Sequence, residues 1–447
     1  MPELRTNLKP NTHVAYSPLT YSIESMTFIS HRGEEIDVQR IISSFSIKES
    51  LYFPTMILEM SFKDSANFIE QYEICGQEKI VISLVREKEF DSEKETLKHT
   101  FYVTEYPVYS RASEHIQVYK IRAVSEHFYI SSFKEISRAM NGNIIDVIRE
   151  IYTNDLFVPV EDISILNSEK SNPCVSIFKG IIPRMRPIQA IDWLRQKAYS
   201  TSSSPFFISE NSQEGVSIAS LEDLISRDVF REYYYNTRSS GVPNDEDDYI
   251  TIATKVFDIV SNLGLANSFF AERGAYASDA TFCDIYNKTL RTENYTVDDM
   301  ASDKLIENHV PLSSTFKIKD VVNSQRVDAS ISRLSTACSK TIPINTGNPN
   351  LYANLGQYHN LRAQGEYELL ESFTHDIRVA GDFRLYPGRM IHLHVPKPID
   401  PDMLDGGVKV DDQLVSGKYL ITGVTHDFDS QYHCTLRLKR NSTRFSL

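Results

Sequence analysis

The chain is poor in the residues that would announce a metal ribbon, a disulfide framework or a membrane span. Five cysteines are spread over 447 residues, at Cys75, Cys174, Cys283, Cys338 and Cys434, odd in number and without a C-x-x-C pair. Zinc-ribbon and disulfide-scaffold readings lose their support, and folding in a reducing compartment is expected. No run of 18 apolar residues occurs, so no helical membrane span is expected. The polar opening Met1 to Pro10 has no apolar core and does not read as a signal peptide. Basic residues are in deficit, 47 Lys and Arg against 60 Asp and Glu, for a formal net charge of −13. A protein that grips phosphates over its whole surface needs the opposite balance. With 17 glycines and 18 prolines, collagen-like and low-complexity readings also fail.

Catalytic signatures are equally scarce. There is no G-x-S-x-G elbow, no G-x-x-x-x-G-K-[ST] loop, no G-x-G-x-x-G and no H-E-x-x-H. His392 and His394 stand at i and i+2 of one strand and could hold a metal if a third ligand approached. Two histidines on the polar face of a strand is the stronger reading, so no metal, cofactor or catalytic residue is expected. Asp400, Asp402 and Asp405-Gly406 miss the calcium-loop spacing by one residue and lack a closing Glu. The run Asn244 to Asp248 reads as a solvated acidic loop. His433, Arg437 and Lys439 form a small basic face, expected to be paired or turned toward protein neighbours.

What is present is strand alternation. The composition, 41% hydrophobic and 24% charged with 24 Tyr and 23 Phe against one Trp, suits a globular, β-leaning chain of two to four domains. Leu58, Met60 and Phe62 alternate with polar residues, as do Ile80, Ile82 and Leu84, then Phe101 and Val103. A phase slip between Val118 and Tyr119 suggests a β-bulge. Helices are expected after Asn143, with Ile144, Ile145, Val147, Ile148, Ile151 and Tyr152 on one face, and from Pro187, with Ile188, Ile191, Leu194 and Ala198. A third is expected over Ile252 to Leu263, stopped by Gly264. Phe206 to Leu224 reads as short strands and a turn, and 340–366 as a long, weakly structured connection. Tyr432, Cys434, Leu436 and Leu438 give the cleanest period-two signal.

Two segments repeat the same order of parts. Gly76 opens the strand Lys79 to Leu84, a charged insertion follows (Arg86 to Lys98), then Tyr102 to Glu105 and the strand Gln117 to Ala123. Pro387-Gly388 opens the strand Met390 to Val395, an acidic insertion follows (Asp400 to Asp412), then Tyr419 to Thr422 and the strand Tyr432 to Lys439. Two related small β-barrels explain this; chance similarity between two antiparallel meanders is the competing reading. The expected class is α+β, mostly β: two similar small antiparallel β-barrel (tube) domains joined by a mixed α/β middle region. The expected division is an N-terminal arm at 1–25, a first barrel at 26–125 and a middle domain at 126–230. A helical or irregular region at 231–366 serves the middle domain and the second barrel, whose main part is 367–447.

The stretch Tyr386-Pro387-Gly388-Arg389-Met390-Ile391 resembles the entry to a tube strand. Ser416-Gly417-Lys418-Tyr419-Leu420-Ile421-Thr422-Gly423-Val424-Thr425-His426 resembles the strand near the end of baseplate central hub proteins of contractile-tailed bacteriophages, which are related to the hub part of type VI secretion spike proteins. Pro187 to Leu194, followed by Phe206-Phe207-Ile208-Ser209-Glu210, looks like that family's helix and acid-bearing aromatic strand. The resemblance touches about two-thirds of the chain and carries no catalytic motif. It implies a non-enzymatic structural hub of the virion, a late protein assembled in the host cytoplasm. Three copies would form a ring with six near-equivalent barrels, joining a three-fold spike to a six-fold tail tube. The implied partners are the chain itself as a homotrimer, a separate central spike protein, the tail tube or tube-initiator protein, the tape-measure protein and the surrounding wedge proteins. DNA would pass through the channel at ejection without specific binding, past a lumen expected to be acidic or neutral. A hub component of a bacterial contractile injection system is the alternative, and a tail-associated cell-wall hydrolase using two carboxylates is the enzymatic one.

Overall fold

The structure, a computed structural model, describes residues 18–65, 67–87, 94–105, 110–113, 115–166, 173–235, 246–263, 277–284, 288–296, 310–311, 334–340, 357–371, 373–397, 411–412, 415–440 and 442–443. The Asp400–Asp405 loop, Gly264 and residues 341–356 lie outside them. Among the described residues, no helix is long and apolar enough to cross a membrane.

The first barrel is built from β1 (Ser22–Ile29), β2 (Glu35–Asp37), β3 (Ile42–Ser50), β4 (Phe53–Asp64), β5 (Lys79–Glu87), β6 (Lys94–Glu105), β7 (Ser110–Ser113) and β8 (Ile116–Ser125). Its main strands are ordered β1-β5-β6-β8-β4-β3, every neighbouring pair antiparallel. Alternation dictates which side faces in. Leu58, Met60 and Phe62 on β4 and Ile80, Ile82 and Leu84 on β5 are almost wholly buried. Each such side chain contributes about 1.5–3 kcal/mol through removal from water.

Two expectations need correction here. Residues 22–25 belong to β1, so the N-terminal arm is shorter than 1–25. No bulge separates Val118 from Tyr119, since β8 runs against β4 in unbroken register from Gln117 to Val124. Tyr119, Ile121 and Ala123 face the core, while Ile116 and Val118 lie half-buried on the other phase. The register shifts fall on β8's other neighbours, β6 and β7. Part of the charged insertion is regular as well: Arg86, Glu87 and Lys94 to Lys98 extend the β5–β6 hairpin.

After the short α1 (Phe68–Gln71) between β4 and β5, the middle region opens with α2 (Glu126–Ser131), β9 (Ala139–Asn143) and α3 (Ile144–Asp155). Asn143 caps α3, its side-chain oxygen accepting the Ile145 N–H at 3.0 Å, and all six expected apolar residues are buried. After β10 (Ile163–Ile165) and β11 (Ile177–Ile181), α4 (Pro187–Arg195) starts with proline in its first turn and buries Ile188, Ile191 and Leu194. β12 (Phe206–Asn211) and β13 (Gly215–Ser220) form a hairpin, with β10 parallel to β13, followed by α5 (Leu221–Ile225).

The second barrel uses β14 (Val229–Tyr235), β15 (Lys255–Leu263), β20 (Phe373–Ala380), β21 (Met390–His394), β22 (Gly417–Phe428) and β23 (Tyr432–Arg440). The ring β14-β21-β22-β23-β20-β15 closes on itself. Between β15 and β20 the chain makes a separate sheet of β16 (Ala277–Asp284), β17 (Thr289–Thr296) and β19 (Leu334–Lys340). The short β18 (Val310–Pro311) pairs with β24 (Ser442–Thr443). Among the described residues of 231–366, strand therefore outweighs helix. The helix expected over Ile252 to Leu263 is corrected to α6 (Glu246–Ala253) followed by β15, so part of the acidic run at 244–248 is helical. The connection read over 340–366 holds α7 (Gln357–Leu369).

Numbered along the chain within each barrel, the first runs 1-4-5-6-3-2 (β1, β3, β4, β5, β6, β8) and the second runs 1-4-5-6-3-2 (β14, β15, β20, β21, β22, β23). The fourth strand of each follows a left-handed glycine, Gly76 at φ +88° and Gly388 at φ +98°. One strand breaks the match. β1 is antiparallel to its neighbour β5, whereas β14 is parallel to both β21 and β15.

Candidate functional site at the junction of the two barrels

The barrels are joined edge to edge. β3 pairs antiparallel with β22, from Phe45↔Phe428 to Ser50↔Gly423, so the two form one continuous sheet around one hydrophobic core. The first barrel closes through β2 at one end only: Val38 N–H donates to Met26 and Lys63 N–H to Ile41. At the other end β1 and β3 share no ladder among the described residues, and the β22–β23 turn fills the seam. Tyr432 N–H donates to the Leu19 carbonyl at 2.9 Å, and Tyr21 Oη donates to the Asp429 carbonyl at 2.8 Å. Phe428 stacks on Phe45 at 4.6 Å and on Tyr432 at 4.5 Å, with Tyr21 edge-on at 5.1 Å. Aromatic contacts of this kind add about 0.5–1.5 kcal/mol each beyond area burial. Gly381 permits this packing, since a Cβ there would lie 2.1 Å from the Tyr432 ring.

Charged groups cross the same junction. Asp382, just past β20, accepts hydrogen bonds from Arg384 at 2.8 and 3.0 Å and lies 3.4 Å from Arg86 on β5 and 3.2 Å from Arg231 on β14. Burial would push its pKa up, but the Arg384 hydrogen bonds and the charges of Arg86, Arg384 and Arg231 outweigh it and hold it at about 2. Glu95 on β6 adds a second carboxylate, 3.8 Å from Arg86 and 3.5 Å from Arg384. Removing one member of such a buried set strands the rest, which makes the network a rigid brace between barrels.

A second polar group joins both barrels to the middle region. Glu49 on β3 accepts the Ser212 N–H at 3.1 Å and lies 3.9 Å from His426 Nε2 on β22. Burial pushes the Glu49 carboxyl up to about 8 against the Ser212 hydrogen bonds, and pushes His426 down to about 4. Burial thus favours the neutral form of each. Glu210 on β12, the acid of the aromatic strand singled out in the sequence, accepts the Met56 N–H at 2.8 Å and faces His127 at 3.6 Å. That strand thus docks the middle region onto the first barrel.

The other residues singled out in the sequence fall elsewhere. His392 and His394 stack at 4.4 Å on β21, and His394 bonds Asp411 at 2.7 Å with Glu232 at 3.6 Å. Arg437 pairs with Asp376, Lys439 is held by Glu371 and Tyr52, and His433 meets the Phe257 ring edge-on. The junction's own residues did not stand out in the sequence, yet a signal exists. Glu49 continues the inward phase of Phe45 and Ile47, Arg86 that of Ile80, Ile82 and Leu84, and His426 precedes Phe428 on the phase of Val424; all three are buried. A titratable residue on the apolar phase of a strand marks a buried polar contact.

No known family model matches the chain, and no curated protein matches it in sequence. Solved structures match in fold. The 43 kDa tail protein of prophage MuSo2 from Shewanella oneidensis is similar over 94% of this chain and 98% of its own, at 10% identity and a TM-score of 0.50. A tail protein from Neisseria meningitidis MC58 aligns over 94% and 97%, at 11% identity and a TM-score of 0.48. The c3393 protein of E. coli, a component of the type VI secretion system, aligns over 96% and 78%, at 10% identity and a TM-score of 0.42. The structures this chain is similar to are thus tail proteins and type VI secretion proteins, and the likeness is one of fold.

Proposed function

We propose that the chain is the central structural hub of a contractile tail, on the strength of one observation above all: two six-stranded barrels with one strand order, fused edge to edge. Three copies in a ring place six barrels around an axis, the geometry needed to join a three-fold spike to a six-fold tube. The charged network at Asp382 braces one barrel against the other, in keeping with the constant angle that a symmetry adaptor must hold. The role is structural. The spike and tube proteins bind opposite ends of the ring, and DNA and the tape-measure protein pass through it. Pairing of the exposed Arg437 with Asp376 and burial of Lys439 against Glu371 leave neither cation open to phosphates, in keeping with that passage. A bacterial injection machine uses the same geometry, and the genomic neighbourhood distinguishes it from a phage tail.

The test is a mass measurement in solution with imaging of the particle. Three copies of a 51.1 kDa chain give about 153 kDa, and the ring should show six lobes. A stable monomer at micromolar concentration, alone or with the spike protein, overturns the reading. Release of peptidoglycan fragments by the purified chain would favour the hydrolase instead.

A further inference from the structure

A group of metal-ligand residues lies away from the junction, at one mouth of the first barrel. His31 sits in the turn between β1 and β2, and Cys75 and Glu78 in the turn that leads into β5. The β1–β5 register, which ends on Ile29↔Lys79, brings the two turns side by side. One ligand atom from each of the three residues lies within 4.8 Å of the others.

We propose that His31, Cys75 and Glu78 bind a thiophilic divalent cation of the zinc class, with a fourth position open to solvent beside the exposed Cys75. Imidazole, thiolate and carboxylate are the donor types that zinc takes, and three protein ligands with one open position is a recurrent arrangement. Ligand atoms around a bound zinc stand about 3.5 Å apart, as bonds of 2.0–2.3 Å require, so the site needs only a small closure.

Three further observations support it. The Nδ1 of His31 is shut off from water without a hydrogen-bond partner, so a ring nitrogen of this imidazole is uncommitted, a condition that calls for an explanation. Glu78 is fully buried, its two oxygens held by the N–H groups of Cys75 at 2.6 Å and Gly76 at 2.8 Å. Those bonds aim the carboxylate and leave each oxygen a second lone pair, as supporting bonds do around metal ligands. Both turns are also anchored. Ser30 and Glu34 exchange a backbone bond at 2.9 Å and Arg32 pairs with Glu73 across the turns, while Tyr129 Oη donates to the Gly76 carbonyl at 2.8 Å. The bound ion would pin the start of the first barrel independently of whether three chains form a ring.

The experiment uses the full chain, stripped with a chelator and titrated with Co2+. The expected result is a thiolate-to-cobalt charge-transfer band that saturates at one ion per chain, with Zn2+ displacing it. Cys75→Ser should abolish the band, and His31→Ala should weaken binding roughly tenfold or more. Zn2+ should raise the Tm of the natural chain and leave that of Cys75→Ser unchanged. These two variants carry the test, because Glu78→Gln weakens the bonds that shape a buried turn and its misfolding would mimic a loss of binding. A band unchanged in Cys75→Ser, which the other four cysteines would then explain, overturns the proposal, as does the lack of any saturable band.

Discussion

The two barrels share a strand order and differ in how they close. The second is a complete ring, in which β14 runs parallel to both of its neighbours. In the first, β1 keeps the antiparallel direction, and part of its seam is filled by the β22–β23 turn of the second. An open strand edge invites unwanted pairing, and each barrel answers that differently: the second with a strand of its own, the first by borrowing from its neighbour. One barrel is therefore self-sufficient and the other dependent, and substitutions should expose the asymmetry.

The largest effect is expected at the brace. Asp382→Asn leaves three arginines around a neutral group and should cost about 3–5 kcal/mol in urea unfolding. A loss under about 1 kcal/mol would mean that the barrels are held by sheet and core alone. Next comes Gly381→Ala, whose Cβ meets the Tyr432 ring. It should cost about 1–3 kcal/mol as the ring is forced aside, and hydrogen exchange should speed up in β1 of the first barrel as well as in β23. Exchange changes confined to β23 would show that the seam does not depend on Tyr432.

Smaller effects compare equivalent positions. Gly76→Ala meets open space and pays only for its left-handed backbone, about 1–2 kcal/mol. Gly388→Ala has the same backbone requirement and also brings Cβ to 3.1 Å from Leu224, so its loss should be the larger. Equal losses would show that Leu224 yields freely. The last test is read in its sign, and it is pH. Glu49 and Glu366 are both pushed up to about 8 by burial. As pH rises from about 4.5 toward 8, the unfolded carboxyls ionise while the folded ones are held protonated, so the contribution of each group to stability falls. Glu49→Gln should remove about half of that slope. His426, held down at about 4, contributes the opposite slope between about 4 and 6.5 and offsets part of the carboxyl effect there, so the fall should be clearest above pH 6.5, and the acid-side loss should be steeper in Glu49→Gln. An unchanged alkaline slope would show that Glu49 is ionised in the folded chain.

Much of this architecture was legible in the residues. Asn143 and Pro187 marked helix starts, Gly76 and Gly388 marked equivalent turns, and the alternation of Tyr432, Cys434, Leu436 and Leu438 marked a core strand. The misreadings have physical causes. Ile252, Val256, Ile259, Val260 and Leu263 fall at helical spacing, yet Val256 to Leu263 pair with β20, and Val260 is 62% exposed on the barrel's outer side. Ladder pairing, a non-local force, overrode the local period. The slip at Val118 and Tyr119 reflected apolar residues on both faces rather than an extra residue. The junction stayed hidden because Arg86 and Asp382 lie 296 positions apart, and no local pattern links them.

The borrowed seam also bears on how the chain is made. Leu19 and Tyr21 emerge from the ribosome early, but Asp429 and Tyr432, which bond them, come some 400 residues later. At roughly 5–20 residues per second, the amino-terminal barrel waits on the order of 20–80 s for the piece that completes it. Its local hairpins can form meanwhile, but one edge stays exposed in a crowded cell. A chaperone that holds nascent chains should therefore be found on this half during synthesis and leave when the last hairpin is released, and proteolysis of stalled nascent chains would time that handover.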